Sequence, residues 1–90
     1  MIAPSPMVTL NRIVAVAMVE GPEVALAKLD AAEAELRLAG HHRVAEVRAH
    51  LLETAGDVAG AAAAYRVAAS RTLSIPEQRY MLGRTEALRR

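Results

Sequence analysis

A chain of 90 residues is long enough for one domain, and folding hides only about two-thirds of the surface that so short a chain exposes when unfolded, so its core must be thin. It contains no cysteine, which excludes a disulfide framework and a cysteine-ligated zinc site and suits a reducing cytoplasm. The formal charge of +1 excludes the dense positive footprint of a principal nucleic-acid binder, but it is unevenly spread: residues 1–60 carry 5 basic and 8 acidic groups and residues 61–90 carry 6 and 2.

Alanine supplies 20 of the residues, phenylalanine and tryptophan are absent, and Tyr65 and Tyr80 are the two aromatics. Alanine is the strongest helix former and lets backbones approach closely, whereas sheets favour β-branched and aromatic residues. The composition therefore predicts an all-α fold of about five closely packed helices in a single domain, 1–90. Alanine contributes little apolar area per contact, so isolated stability should be marginal or a partner should complete the core. The apolar run from Ile13 to Val19 stops at Glu20-Gly21-Pro22, short of the roughly 20 residues a membrane span needs. Residues 1–7 lack the basic start and apolar middle of a secretion signal.

The first predicted helix runs over about 8–20 and is apolar nearly all round, through Leu10, Ile13, Val14, Val16, Ala17, Met18 and Val19, which requires cover on both faces. Gly21-Pro22 breaks it, and Pro22 suits the first turn of a second helix ending near 39 with Gly40 as its cap. That helix shows Ala25, Leu29, Ala32 and Leu36 as one stripe, supported by Leu26, with Glu33 and Arg37 spaced as an exposed i,i+4 pair. A third helix over 43–54 carries Val44, Val47 and Leu51 together with Ala45 and Leu52. After Ala55-Gly56, Asp57 is placed to cap a fourth helix that runs to about 71 and is paved with alanine around Tyr65. Ser74-Ile75-Pro76-Glu77 has capping-box spacing, and a fifth helix over 75–88 carries Tyr80, Met81 and Leu88 broadly on one side.

Gly21 and Gly56 are 35 residues apart, each between two helices. That spacing predicts a two-helix repeat, with a first pair over 8–39, a second over 43–71 and a capping helix over 75–88. Two units with a cap are near the minimum for a solenoid, whose members bury their faces against neighbours, and the pattern leaves room for one upstream.

Chemistry-bearing residues are sparse. His41 and His42 are adjacent and His50 stands apart on the third helix, and the sequence does not bring three or four metal ligands together. Ser74 reads as a cap, no nucleophile elbow surrounds Ser5 or Ser70, and the carboxylates Glu33, Glu35, Glu46 and Glu53 read as solubilising. The glycines punctuate helix ends and form no phosphate cradle. The expectation is a non-catalytic chain without cofactor or metal. Asn11 and Arg12 interrupt the first helix, either to bond to a neighbouring domain or to satisfy a local backbone group and reach solvent.

In GDVAGAAAAYRVA, Gly56, Ala61, Tyr65 and Ala68 resemble the glycine, alanine, aromatic and alanine positions of a tetratricopeptide repeat, with Ala49 and Leu52 at its small and large first-helix positions. Ala45 and Arg48 stand where that motif has tryptophan and leucine, and the first unit keeps Gly21 but has Leu26 and Asp30 at the alanine and aromatic places. Taken from about Ser5 to Leu88, with Leu10-Asn11-Arg12 through Gly21-Pro22 as its most specific part and Gly56, Ala64-Tyr65-Arg66 and Arg79-Tyr80 as secondary matches, the chain resembles the C-terminal helical extension of bacterial extracytoplasmic-function RNA polymerase sigma factors. Ile13 and Met18 depart from the alanine and glutamate of a typical member.

The resemblance implies stacked antiparallel helix pairs in a right-handed, tetratricopeptide-like superhelix. It also implies a cytoplasmic regulatory or structural tail that acts in transcription initiation through protein contacts. The partners would be the upstream sigma regions, which these 90 residues do not include, and RNA polymerase. Neither a cofactor nor direct nucleic-acid or membrane binding by this part is implied. Leu10, Asn11, Arg12, Ile13, Val14, Ala17 and Met18 are the candidates for the upstream seam, and Tyr65, Arg66, Tyr80 and Arg84 for a downstream surface, although Tyr65 equally suits the repeat core. The alternatives are a free-standing tetratricopeptide-like adaptor and a homodimer that covers the first helix with its own copy.

Overall fold

The computed structural model describes residues 6–35 and 41–88, which form five helices and, among the described residues, no strand. They are α1 (Pro6–Glu20), α2 (Pro22–Glu35), α3 (His42–Thr54), α4 (Val58–Arg71) and α5 (Ile75–Leu88). The fold is all-α. Each helix packs on the next in the chain, with a further contact between α1 and α3. The molecule measures 45 × 30 × 18 Å, and its thin dimension fits two layers of helices about 8–10 Å apart. The predicted cap Gly40, with Leu36 and Arg37, lies outside the described residues.

The helix junctions follow from local chemistry. Gly21 and Gly56 adopt φ of 95° and 88°, the left-handed region that side chains resist. At Gly56 the α3 terminus closes with paired bonds, Asp57 N–H to the Leu52 carbonyl at 2.9 Å and Gly56 N–H to the Glu53 carbonyl at 3.1 Å, the pattern of a Schellman motif. Asp57 then serves the next helix, its Oδ1 accepting from Gly60 N–H at 2.9 Å, as its capping position predicts. At α3, the Nδ1 of His41 accepts from Arg43 N–H at 3.1 Å and caps the start.

The start of α5 realises half of the predicted capping box. Ser74 Oγ accepts from Glu77 N–H at 3.3 Å, but Glu77 does not return to Ser74. Its carboxylate accepts instead from the Thr72 hydroxyl at 2.8 Å, while Thr72 Oγ1 takes the Ser74 N–H at 3.2 Å. Thr72 is buried, and these two bonds satisfy its hydroxyl.

Two apolar clusters form the core. Leu10 and Ile13 of α1, Ala25, Leu29 and Ala32 of α2, and Val44 and Leu51 of α3 form the first; Ala45 and Ala49 of α3, Ala64, Tyr65, Ala68 and Ala69 of α4, and Met81 of α5 form the second. Helix α3 belongs to both, since Val44 and Leu51 fall on one flank and Ala45 and Ala49 on another, as their helical spacing dictates. In the first cluster Leu10, Ile13, Leu29, Val44 and Leu51 are aliphatic side chains worth roughly 1.5–3 kcal/mol each when fully buried. The second is alanine with one ring and one thioether at its centre, which brings α3, α4 and α5 close together.

The predicted grouping on α5 divides. Met81 is buried and Leu88 packs against the second cluster, whereas Tyr80 is about half exposed. A 100° turn per residue sets Tyr80 beside Met81 on the circumference and outside the buried sector.

Candidate protein interface

The polar centre of the molecule is built by three helices around Tyr65. Its side chain is fully buried, yet its hydroxyl lies 2.9 Å from His50 Nδ1 and donates to Glu53 Oε1 at 3.0 Å. Arg84 of α5 donates to the other oxygen of Glu53, and its guanidinium carbon lies 6.0 Å from the Tyr65 ring centroid. The His50 ring meets Tyr65 edge-on at 5.4 Å. Burial, followed by the bond to Glu53, pushes the Tyr65 hydroxyl up to about 12. Glu53, expected to be merely solubilising, is the hub of this set, and Arg84 is held within the fold by it.

A second polar set ties α2 to α3. Arg48 donates to Asp30 at 2.7 Å and to Glu33 at 3.5 Å. Arg48 and Asp30 are the residues that replace the large apolar groups of the repeat motif, and they meet as an ion pair. Glu33 thus reaches across to α3, and its expected partner Arg37 lies outside the described residues. A third set joins the start of α3 to α5, where Glu77 lies 3.7 Å from His42 and 3.8 Å from Arg43. The rings of His41 and His42 stack at 4.9 Å. Among the described residues no three histidine or carboxylate groups converge as a metal site.

The remaining chemistry is apolar surface. On α1, Leu10 and Ile13 face the core, while Met18 and Val19 are 86% and 85% exposed and Val8 and Val14 are nearly half exposed. Asn11 and Arg12 are exposed beside them. The all-round apolar character of α1 is thus met on one side only by the chain's own helices.

Between α1 and α3 runs a groove of ≈ 240 Å³ lined by Val14, Ala17, Met18, Val47, His50, Leu51 and Thr54. A second of ≈ 340 Å³ lies between α1 and α2, with Arg12 and Lys28 at its rim over Ile13, Val16 and Ala32. Of the residues expected at an upstream seam, Val14, Ala17 and Met18 share the first groove, Arg12 and Ile13 line the second, and Leu10 serves the core. Of the downstream set, Tyr65 is core, Arg84 is bound to Glu53, and Arg66 and Tyr80 are exposed.

Sequence spacing singled out neither the three-helix set around Glu53 nor the contribution of Val47, Leu51 and Thr54 to the groove. The signal available for the groove was the excess of apolar residues on α1. No described helix is long and apolar enough to cross a membrane. No protein-family model, curated protein or solved structure matches the chain.

Proposed function

We propose that this chain is a non-catalytic protein-contact module of the kind that forms the C-terminal extension of extracytoplasmic-function sigma factors, its helix pairs stacked in the tetratricopeptide manner. The observation that carries the reading is the apolar groove between α1 and α3, with Val14, Ala17 and Met18 on one wall and Val47 and Leu51 on the other. A wall of aliphatic side chains facing water is the form of surface that a partner helix covers. The resemblance of residues 10–22 to such an extension supports assigning that helix to the upstream sigma regions. In this reading the chain acts in the cytoplasm and influences transcription initiation by holding those regions or presenting them to RNA polymerase.

The test begins with the complete coding frame from which the chain derives. Two sigma regions encoded upstream, together with a loss of promoter-directed transcription when V14D and M18D are introduced into the complete protein, are the expected results. A frame without sigma regions, or transcription indifferent to both substitutions, overturns the reading and leaves a free-standing adaptor in its place.

A further inference from the structure

The face of α5 directed away from the core carries a pattern that the fold itself does not use. Met81 and Thr85 point inward and are buried. On the solvent side Ile75, Arg79, Leu82 and Glu86 recur at intervals of four, three and four residues, so they form one stripe, and all four are exposed. Gly83 lies in the same outward sector. A Cβ built there meets nothing within 4 Å, and its φ lies outside the left-handed region. Neither space nor backbone conformation within the chain demands a glycine, the least favourable helix-interior residue after proline. Arg79 and Glu86 take part in none of the chain's ion pairs among the described residues.

We propose that this face of α5 is a homodimer seam, in which α5 packs antiparallel on α5 of a second copy about a two-fold axis between Leu82 and Gly83. The charge order selects that occupant and that orientation. A two-fold axis at this point places Arg79 opposite Glu86 of the second copy and Glu86 opposite its Arg79, two like-for-like ion pairs from one sequence. A parallel pairing would place arginine on arginine and glutamate on glutamate. The same axis sets Leu82 against the bare backbone at Gly83 of the other copy, so the leucine enters the space a side chain would fill. The α1–α3 groove lies on the other cluster and stays open, so this seam stands or falls independently of the sigma-factor reading.

The experiment is sedimentation equilibrium on the intact 90-residue chain across a concentration series, with circular dichroism to confirm that each variant keeps its helicity. The wild-type chain is expected to dimerise. R79E alone and E86R alone each face like charges in both pairs and should weaken dimerisation about tenfold, whereas R79E/E86R restores opposite charges and should recover it. G83A should weaken the dimer while raising the helix stability of the monomer, an opposition that simple misfolding does not produce. A wild-type chain that stays monomeric, or a dimer that survives both single reversals or is not recovered by the double one, overturns the proposal.

Discussion

The Tyr65 hydroxyl and the Glu53 carboxylate, one from α4 and one from α3, are joined at 3.0 Å. An ionised carboxylate only accepts, so the single phenol proton is committed to Glu53. His50, 2.9 Å away on the same oxygen, is then the donor through Nδ1–H. One hydroxyl thereby holds two residues of α3, and Glu53 passes the connection on to Arg84 of α5.

Replacing Tyr65 by phenylalanine keeps the ring and removes both bonds. Glu53 retains Arg84 and His50 is exposed, so no charge is left stranded, and the loss should be about 1–2 kcal/mol. Urea unfolding should show a lower midpoint with an unchanged slope. An unchanged midpoint would mean that the hydroxyl contributes nothing net.

Alkaline pH should act through the same group. The hydroxyl is raised in the folded state from 10.0 to about 12, so the folded form holds its proton where the unfolded form releases it. Its contribution is complete below about pH 10 and is lost as pH rises from there through 12. In a Y80F background, where Tyr65 is the sole phenol, phenolate absorbance should appear late in the folded chain. Stability should decline over the same interval, and Y65F/Y80F should lack that decline.

Arg48→Ala removes the clamp on Asp30 and Glu33. Asp30 is mostly exposed, so the pair is screened by solvent and the cost should be about 0.5–1 kcal/mol. The difference from wild type should shrink in molar salt, where the screening length is about 3 Å. A salt-independent deficit would instead point to lost packing of the arginine stem.

Gly60 offers a test by non-additivity. Alanine normally improves a helix by up to about 1 kcal/mol over glycine, but a Cβ here collides with the carboxylate of Asp57 that caps the same helix. G60A should therefore bring no gain, because displacing the cap costs about 1 kcal/mol. In a D57A background the same substitution should be stabilising. Thermal unfolding of the four chains reads the coupling directly.

Much of the fold is legible along the chain because its signals are local. Gly56 followed by Asp57, and Ser74 followed three residues later by Glu77, mark helix ends through bonds made within a few residues. The two flanks of α3 are likewise a matter of helical spacing. What escapes is lateral pairing: Arg48 with Asp30 is separated by 18 positions and Arg84 with Glu53 by 31, and periodicity does not state which helix lies beside which. Tyr80 does not share the buried sector of Met81 and Leu88, because adjacency in sequence does not place residues on the same sector of a helix. The interface candidates on α1 divide for a related reason, since an all-round apolar helix does not announce which half its own neighbours will claim.

The sharing of α3 between both clusters has a consequence for motion. Helices at the two extremities can detach without tearing the opposite layer, while α3 is uncovered only when both sides open. Amide hydrogens of α3 should accordingly exchange last, and those of α1 and α5 should exchange earlier and on separate schedules. A rod so organised has a stiff waist and releasable ends, so an event at one extremity need not be felt at the other.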